Sequence, residues 1–339
     1  MEPGYSALNE SARYFMKMLG LKFPIVQAPM DGPATAELAT AVANSGALGS
    51  LPLTWVSPDL AFQRVMEVKS KTSGSFLANY VLNFPTDSLD KAIEAGLEIV
   101  QFSWGLPDTE LIRKLKEHSI KMGLQVVGKE NAQRAMELGP DFLVCQGIEA
   151  GGHVQANKPL MTALQEVLSV AEDVPVVASG GIATGHHIRK YISAGAAAAV
   201  LGTRFVATEE SVAHPEYKKE LLAATAAEDT VFTVCLNKVW PNATHRILRS
   251  NETFKMWEAA GCPPKGDRPG EHDIVGVEED GSKLERYVGI VPVCGMRKCD
   301  VNALGTYAGE GVSDIDDIPS AGELVKRLWN EFQNLSTVK

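Results

Sequence analysis

No stretch of this chain holds the ~18 consecutive apolar residues that a membrane-spanning helix needs. The opening MEPGYSALNESARYFMKMLGLKFP has no apolar run of signal-peptide length. Cysteine is scarce: Cys145, Cys235, Cys262, Cys294 and Cys299 are five, an odd number, with no paired C-x-x-C spacing. That argues against a disulfide framework and a zinc site, and for free thiols in a reducing compartment. The expectation is a cytoplasmic protein without a metal. Positive charge is also in deficit. Lysine and arginine total 32 against 42 acidic residues, for a net charge of -10. No basic cluster interrupts this balance, which excludes nucleic acid and anionic membrane as natural partners. No low-complexity tract is visible.

What is present is enough apolar matter for a large core, 45% hydrophobic against 22% charged. Its pattern is a repeated βα unit. Strands are read at Phe23–Ala28, Ala47–Leu51, Ser75–Val81, Glu98–Phe102, Lys121–Val127 and Phe142–Cys145, with helices between them. Two further strands, Val176–Ala178 and Ala197–Leu201, flank a helix that Thr184 can cap and Gly195 can stop. Short apolar strands without alternation call for parallel strands covered on both faces. Eight such units favour a closed barrel over an open sheet. The fold class expected is α/β: a (β/α)8 TIM barrel with a smaller inserted domain before the last helix.

After Phe205 the repeat stops. Ser211–Ala227 reads as helix, Val231–Val239 as a strand or part of a helix, and Asn251–Ala260 as helix. Gly322–Asn334 carries Leu324, Val325, Leu328, Trp329 and Phe332 on one face and reads as the eighth barrel helix. The division expected is a barrel over 1–210 and 306–339. Residues 211–305 would form an inserted, largely helical domain over the active-site mouth.

Two turns carry the chemistry. Ser179, Gly180 and Gly181 end one strand, and Gly202 and Thr203 end the next. Either alone is a tight turn of any α/β protein. Together, on adjacent strands, they can bring backbone N–H groups onto one phosphate, the place that barrels use after their seventh and eighth strands. The loop after the sixth strand reads Gln146-Gly147-Ile148-Glu149-Ala150-Gly151-Gly152-His153. A lone histidine is commonly structural. One that follows a double glycine at the catalytic face suits proton abstraction near neutral pH. His214 and His272 read as surface residues, and His186 and His187 as the start of a helix.

QAPM near the start, QGIEAGGH after the sixth strand, ASGGIATG and LGTRF together resemble the nitronate monooxygenase family. The likeness covers about residues 20–205 and returns in Tyr307-Ala308-Gly309-Glu310-Gly311-Val312. It implies an enzyme that binds FMN and oxidises alkyl nitronates, and nitroalkanes, with O2 to a carbonyl compound and nitrite. It also implies that His153 takes the α-proton of a neutral nitroalkane. FMN would lie against Ala28, Pro29 and Met30, with Gly151 lining the ring. Asn79 would bond the flavin or its ribityl chain, with Gln101 and Gln125 at similar strand ends. Ser179, Gly180, Gly181, Gly202 and Thr203 would take the phosphate. A homodimer is compatible with the family. Two features depart from the pattern: Glu310 stands where glutamine is common, and DRPGEHD at 267–273 fits no motif. Two other readings stay open: an FMN-dependent NAD(P)H reductase of quinones or enoyl thioesters, and a non-catalytic flavin-binding protein. The acidic charge counts against a carrier-bound thioester, and His153 against the loss of catalysis.

Overall fold

The structure, a computed structural model, describes residues 5–334. Helix α1 (Glu10–Leu19) comes first. Then β1 (Ile25–Gln27), α2 (Ala36–Ser45), β2 (Gly49–Pro52), α3 (Pro58–Lys71), β3 (Phe76–Val81) and α4 (Leu89–Glu94) alternate. The alternation continues through β4 (Ile99–Ser103), α5 (Thr109–Glu117), β5 (Lys121–Val126), α6 (Lys129–Met136) and β6 (Phe142–Gln146). A two-residue strand, β7 (Gly152–His153), precedes α7 (Leu160–Leu168), β8 (Val176–Ser179), α8 (Gly185–Ser193) and β9 (Ala198–Leu201).

Eight of these strands form one parallel sheet in the order β1-β9-β8-β6-β5-β4-β3-β2. The two ends meet. Val26 bridges Leu48 in parallel, the Leu48 amide donates to Ile25 O at 2.9 Å, and the Gln27 amide donates to Leu48 O at 3.0 Å. The sheet is therefore a closed (β/α)8 barrel, as the unbroken apolar strands predict. The caps follow the sequence as well. Asn9, Thr35, Ser57, Asp108 and Thr184 each accept a backbone amide with the side chain at the start of their helices. Each such cap contributes about 1 kcal/mol.

Helix α1 covers the end of the barrel remote from the strand C-termini. Asn9 Nδ2 donates to Ile192 O (2.7 Å) and Ala196 O (2.9 Å), just ahead of β9. The Phe15 ring meets Phe142 edge-on at 5.6 Å.

After β9 the chain makes a short helix α9 (Thr203–Val206), then α10 (Pro215–Ala223), β10 (Thr230–Thr233), β11 (His245–Leu248) and α11 (Glu252–Ala259). Strands β12 (Ile274–Val277), β13 (Lys283–Glu285) and β14 (Lys298–Cys299) follow, and α12 (Ala321–Gln333) ends the described chain. The largely helical character expected for 211–305 is corrected here. That segment holds two α-helices and five short strands, in two three-stranded sheets with β7 joining the first. Its loops, rich in proline and glycine, hide strands too short to show a period. The run at Val231–Val239 is strand only as far as Thr233, and the first helix begins at Pro215 rather than Ser211.

Helix α12 completes the barrel's outer ring between α8 and α2. It buries Leu324, Val325, Leu328, Trp329 and Phe332, the face expected from the sequence. Its contact with α8 is backbone-close. A Cβ at Gly185 would lie 2.1 Å from Leu328 O, and the Gly185 amide donates to Glu331 Oε2 at 2.7 Å. Gly185→Ala must therefore push the two helices apart, at about 1–3 kcal/mol. Gly322 in α12 has open space where a Cβ would go, so Gly322→Ala should stabilise by about 0.5–1 kcal/mol. Urea unfolding midpoints should move in opposite directions for the two variants. A neutral Gly185→Ala would show that α12 is not seated as described.

Candidate active site

At the C-terminal ends of the barrel strands lies a cavity of about 600 Å³. The thirteen residues singled out in the sequence all line it. Ala28, Pro29 and Met30 follow β1; Asn79, Gln101 and Gln125 belong to β3, β4 and β5. Gly151 and His153 come from the loop after β6. Ser179, Gly180 and Gly181 come from the end of β8, and Gly202 and Thr203 from the end of β9.

The two glycine turns form one cradle. Strands β8 and β9 are neighbours, with Ala178 opposite Ala199. Gly180 and Gly181 have φ of 135° and 63°, values that favour glycine. Among the described residues, no hydrogen bond uses the amides of Gly180, Gly181, Gly202 or Thr203 as donors. Converging N–H groups without acceptors fit a phosphate. The segment before α12 closes the cradle from behind. The Gly309 amide donates to Thr203 Oγ1 at 3.0 Å, and the Glu310 amide to Glu149 O at 3.0 Å.

The polar residues on the barrel strands are tied down. Asn79, buried, donates through Nδ2 to Gln101 O (3.1 Å) and Ser103 Oγ (3.4 Å). Gln125 Nε2 donates to Gln155 Oε1 at 2.8 Å and to Gln146 Oε1 at 3.4 Å. The Gln155 amide donates back to Gln146 Oε1 at 2.8 Å, and Gln146 Nε2 donates to His153 O at 3.2 Å.

His153 is positioned by the segment beyond the barrel. Strand β7 pairs antiparallel with β11, placing His153 opposite His245 and Gly152 opposite Arg246. The Val154 amide donates to Thr244 O at 2.8 Å, and Thr244 Oγ1 donates to Val154 O. The His153 ring stacks on Trp240 at 4.5 Å and 29°. Tyr307 lies 5.5 Å away, His245 5.7 Å and Trp104 6.3 Å. Its ring nitrogens bond to nothing among the described residues. Burial, and secondarily His245, push its pKa down to about 3. The imidazole is therefore neutral, with ring nitrogens that no described group engages. Cys145, in β6, is buried with its thiol pushed up to about 12, so it is no thiolate nucleophile.

Several residues of the site were not visible in the sequence: Trp55, Phe84, Trp104, Trp240 and His245; Tyr307 was noticed only as the first residue of a motif. They come from separate loops, and no local spacing joins them. Glu310 also finds its reason. Its Oε1 pairs with Arg246 Nη2 at 2.8 Å, and Arg246, 7% exposed, also donates to Ile148 O. A glutamine there would leave a buried guanidinium without its counter-charge.

A closed barrel whose two neighbouring glycine turns and a neutral histidine line one cavity presents a candidate active site on a (β/α)8 scaffold. A sequence model of the nitronate monooxygenase family matches residues 13–95 and 86–331. The chain belongs to that family, and it is an enzyme. A nitronate monooxygenase of Paraburkholderia phytofirmans is 31% identical over 369 residues, covering 95% of each chain. Among solved structures, FabK from Thermotoga maritima has a TM-score of 0.78 at 27% identity, covering 94% of this chain and 96% of its own. The nitroalkane oxidase of Streptomyces ansochromogenes has a TM-score of 0.75 at 26% identity, covering 94% and 97%.

His245 gives the site a testable pH dependence. Its Nδ1 lies 2.9 Å from Ala243 O, and its Nε2 accepts from the Leu236 amide at 3.1 Å, so both nitrogens are used in the neutral ring. Burial holds its pKa at about 4, below the ordinary 6.5. Between these values the unfolded chain takes up a proton that the folded one refuses. The stability this residue contributes is complete above pH 6.5 and is lost as pH falls toward 4, at about 1.4 kcal/mol per pH unit. His245→Asn should be less stable than wild type at pH 7.5, and the gap in urea unfolding should narrow at that rate down to pH 5. A gap independent of pH would mean that His245 titrates in the fold as it does in the unfolded chain, and a gap that widens toward acid would mean that the fold holds it charged.

Proposed function

We propose that this enzyme oxidises alkyl nitronates, and nitroalkanes, with O2 to a carbonyl compound and nitrite, using FMN held at the glycine cradle. The observation that carries this reading is the neutral, unbonded imidazole of His153, facing the same cavity as the cradle, in a chain of this family. The cradle amides of Gly180, Gly181, Gly202 and Thr203 would hold the FMN phosphate, and Ala28 to Met30, Asn79 and Gly151 would hold the rest. Bound FMN would supply the two-electron acceptor that a protein side chain cannot.

A neutral nitroalkane must first lose its α-proton. His153 can take it, because its lone pair is not engaged. The nitronate formed is an anion, and the imidazolium beside it is stabilised by that charge, which offsets the low basicity that burial gives His153. A preformed nitronate skips this step and needs His153 only for position and charge. Residues 211–305 serve as the wall over the mouth. They contribute Leu236, Val239, Trp240 and Val288 to Val291, while 1–210 and 306–339 build the barrel. The cavity lining contains no lysine or arginine among the described residues. With the single amide cradle given to FMN, a nicotinamide nucleotide or a carrier thioester would find neither a second cradle nor a cation for its phosphates, so reduction by NAD(P)H is the weaker reading.

Purified protein should be yellow and release FMN, not FAD, on denaturation. His153→Asn should keep the FMN and cut turnover of a neutral nitroalkane by at least about a hundredfold, since general-base catalysis supplies on the order of 10²–10⁴-fold. The same variant should spare the preformed nitronate far more. Because the pKa of His153 is lowered in the free enzyme, kcat/KM for the nitroalkane should not fall with an apparent pKa near 6.5 as the medium is acidified. Equal losses on both substrates would show that His153 is not the base. Colourless protein that cannot be reconstituted with FMN would remove the whole reading.

A further inference from the structure

One wall of the cavity is made of rings that the chemistry of His153 does not require. Starting at the histidine, Trp240 stacks on it at 4.5 Å, and Trp104 lies 4.7 Å from Trp240. Phe84 lies 5.1 Å from Trp240, and Trp55 5.1 Å from Phe84. Trp55, Phe84 and Trp104 follow β2, β3 and β4, three consecutive strands of the barrel. The glycine cradle follows β8 and β9, on the other side of the ring of strands. The cavity is thus two-sided, with backbone amides at one side and a ring-faced path running out from His153 at the other.

Two observations argue that this wall meets a ligand. First, it is not packed away. Trp55 is 46% exposed and Val239, next to Trp240, is 62% exposed, and both line the cavity. A lid that packed only for its own stability would bury such surface, since apolar area left in water forgoes about 25 cal/mol per Å². Second, the wall offers nothing to a charged tail. Asp31 is the only carboxylate among the described lining residues, and no lysine or arginine accompanies it. An anionic tail would meet one like charge and no counter-charge.

We propose that the substrate carries an extended apolar or aryl body, which lies against the ring wall formed by Trp240, Phe84 and Trp55 and runs outward past the exposed Trp55, with its nitro-bearing carbon at His153. This rests on the nitronate reading for the reacting group, but not for the body. The class is a nitro compound of medium chain length, or one with an aryl ring, without a second charged group. Short nitroalkanes then react but use only the inner part of the site. Trp55 and Val239 are specificity determinants rather than catalytic residues.

The test uses the holoenzyme and a series of primary nitronates from two to eight carbons, with phenylnitromethane nitronate and a six-carbon nitronate ending in a carboxylate. Each methylene that reaches the wall should raise kcat/KM about fourfold until the chain passes Trp55. The carboxylate-ended compound should fall below its methyl-ended counterpart by at least tenfold. Trp55→Ala and Val239→Asp should each lower the ratio of eight-carbon to two-carbon kcat/KM at least fivefold. In parallel, unreactive n-alkyl carboxamides of the same lengths are titrated by tryptophan fluorescence quenching, a readout that needs no turnover. Affinity should climb with length in wild type and lose that climb in Trp55→Ala. Turnover of nitronates with no dependence on length would overturn the inference while leaving the nitronate reading standing. Amide binding that climbs with length, without turnover of any nitronate, would sink the nitronate reading and support the apolar path. Amide affinity that is flat with length overturns the path outright.

Discussion

The site depends on a contact between bare backbones. The segment just before α12 runs against the loops that follow β6 and β8, with no room for side chains between them. A Cβ on Gly151 would lie 2.4 Å from Gly309 N, and one on Gly311 would lie 2.5 Å from Gly181 O. No real Cβ tolerates such distances, so glycine at these positions is a steric requirement. The contact fastens the chain's last hundred residues to the cradle. It also fixes what stands on either side of it. Tyr217 donates its hydroxyl to Tyr307 O, which sets the Tyr307 ring beside His153. Glu310 turns outward to Arg246, whose guanidinium holds Ile148 O in the same loop as Gly151.

Barrel and excursion divide the work by chemical type. The barrel contributes backbone: glycine turns at the ends of β8 and β9 whose amides donate to no described group. The excursion over 211–305 contributes position and surface. Through β11 it makes the loop after β6 into a strand, so His153 sits in a hydrogen-bonded ladder instead of a free loop. Through Trp240 it supplies the ring on which the imidazole stacks. This arrangement keeps the cavity almost free of formal charge. Its two closely placed histidines are both held neutral, mainly by desolvation. In such surroundings a charge created during reaction interacts strongly with whatever lies beside it. The low basicity of His153 has the same origin, since burial is its main cause.

The barrel was legible because its signals are local and repeated. Unbroken apolar strands, capping residues such as Thr35 and Thr184, and glycines at Gly46 and Gly195 each announce one element. Their repetition announces the closed sheet. The cradle was legible for a related reason, since two glycine turns about twenty residues apart on neighbouring strands need no knowledge of distant chain. What stayed hidden depends on long-range closure. His245-Arg246-Ile247-Leu248 is too short and too polar to read as a strand, and it becomes one only by pairing with β7 and β10. The rings at 55, 84, 104, 240 and 307 share no period. Glu310 looked like a departure from a motif until Arg246, 64 residues earlier, supplied the charge it answers.

Trp104 shows how the two halves of the site are kept in step. Its φ is 58°, in the left-handed region that a bulky side chain avoids at a cost of about 1–2 kcal/mol. Such a conformation persists only where the surroundings impose it. Here the Trp104 amide donates to Gln155 Oε1 at 3.1 Å, the same oxygen that accepts from Gln125. Gln155 in turn is bonded to Gln146, and Gln146 to the carbonyl of His153. Three glutamine side chains therefore join the backbone of the ring wall to the backbone of His153. Neither can shift without breaking a partly buried amide network, whose groups are costly to leave unpaired. The strain at Trp104 is thus offset by bonds that also fix the distance between the histidine and the wall. The order of the site comes from this coupling, not from the rigidity of either loop alone.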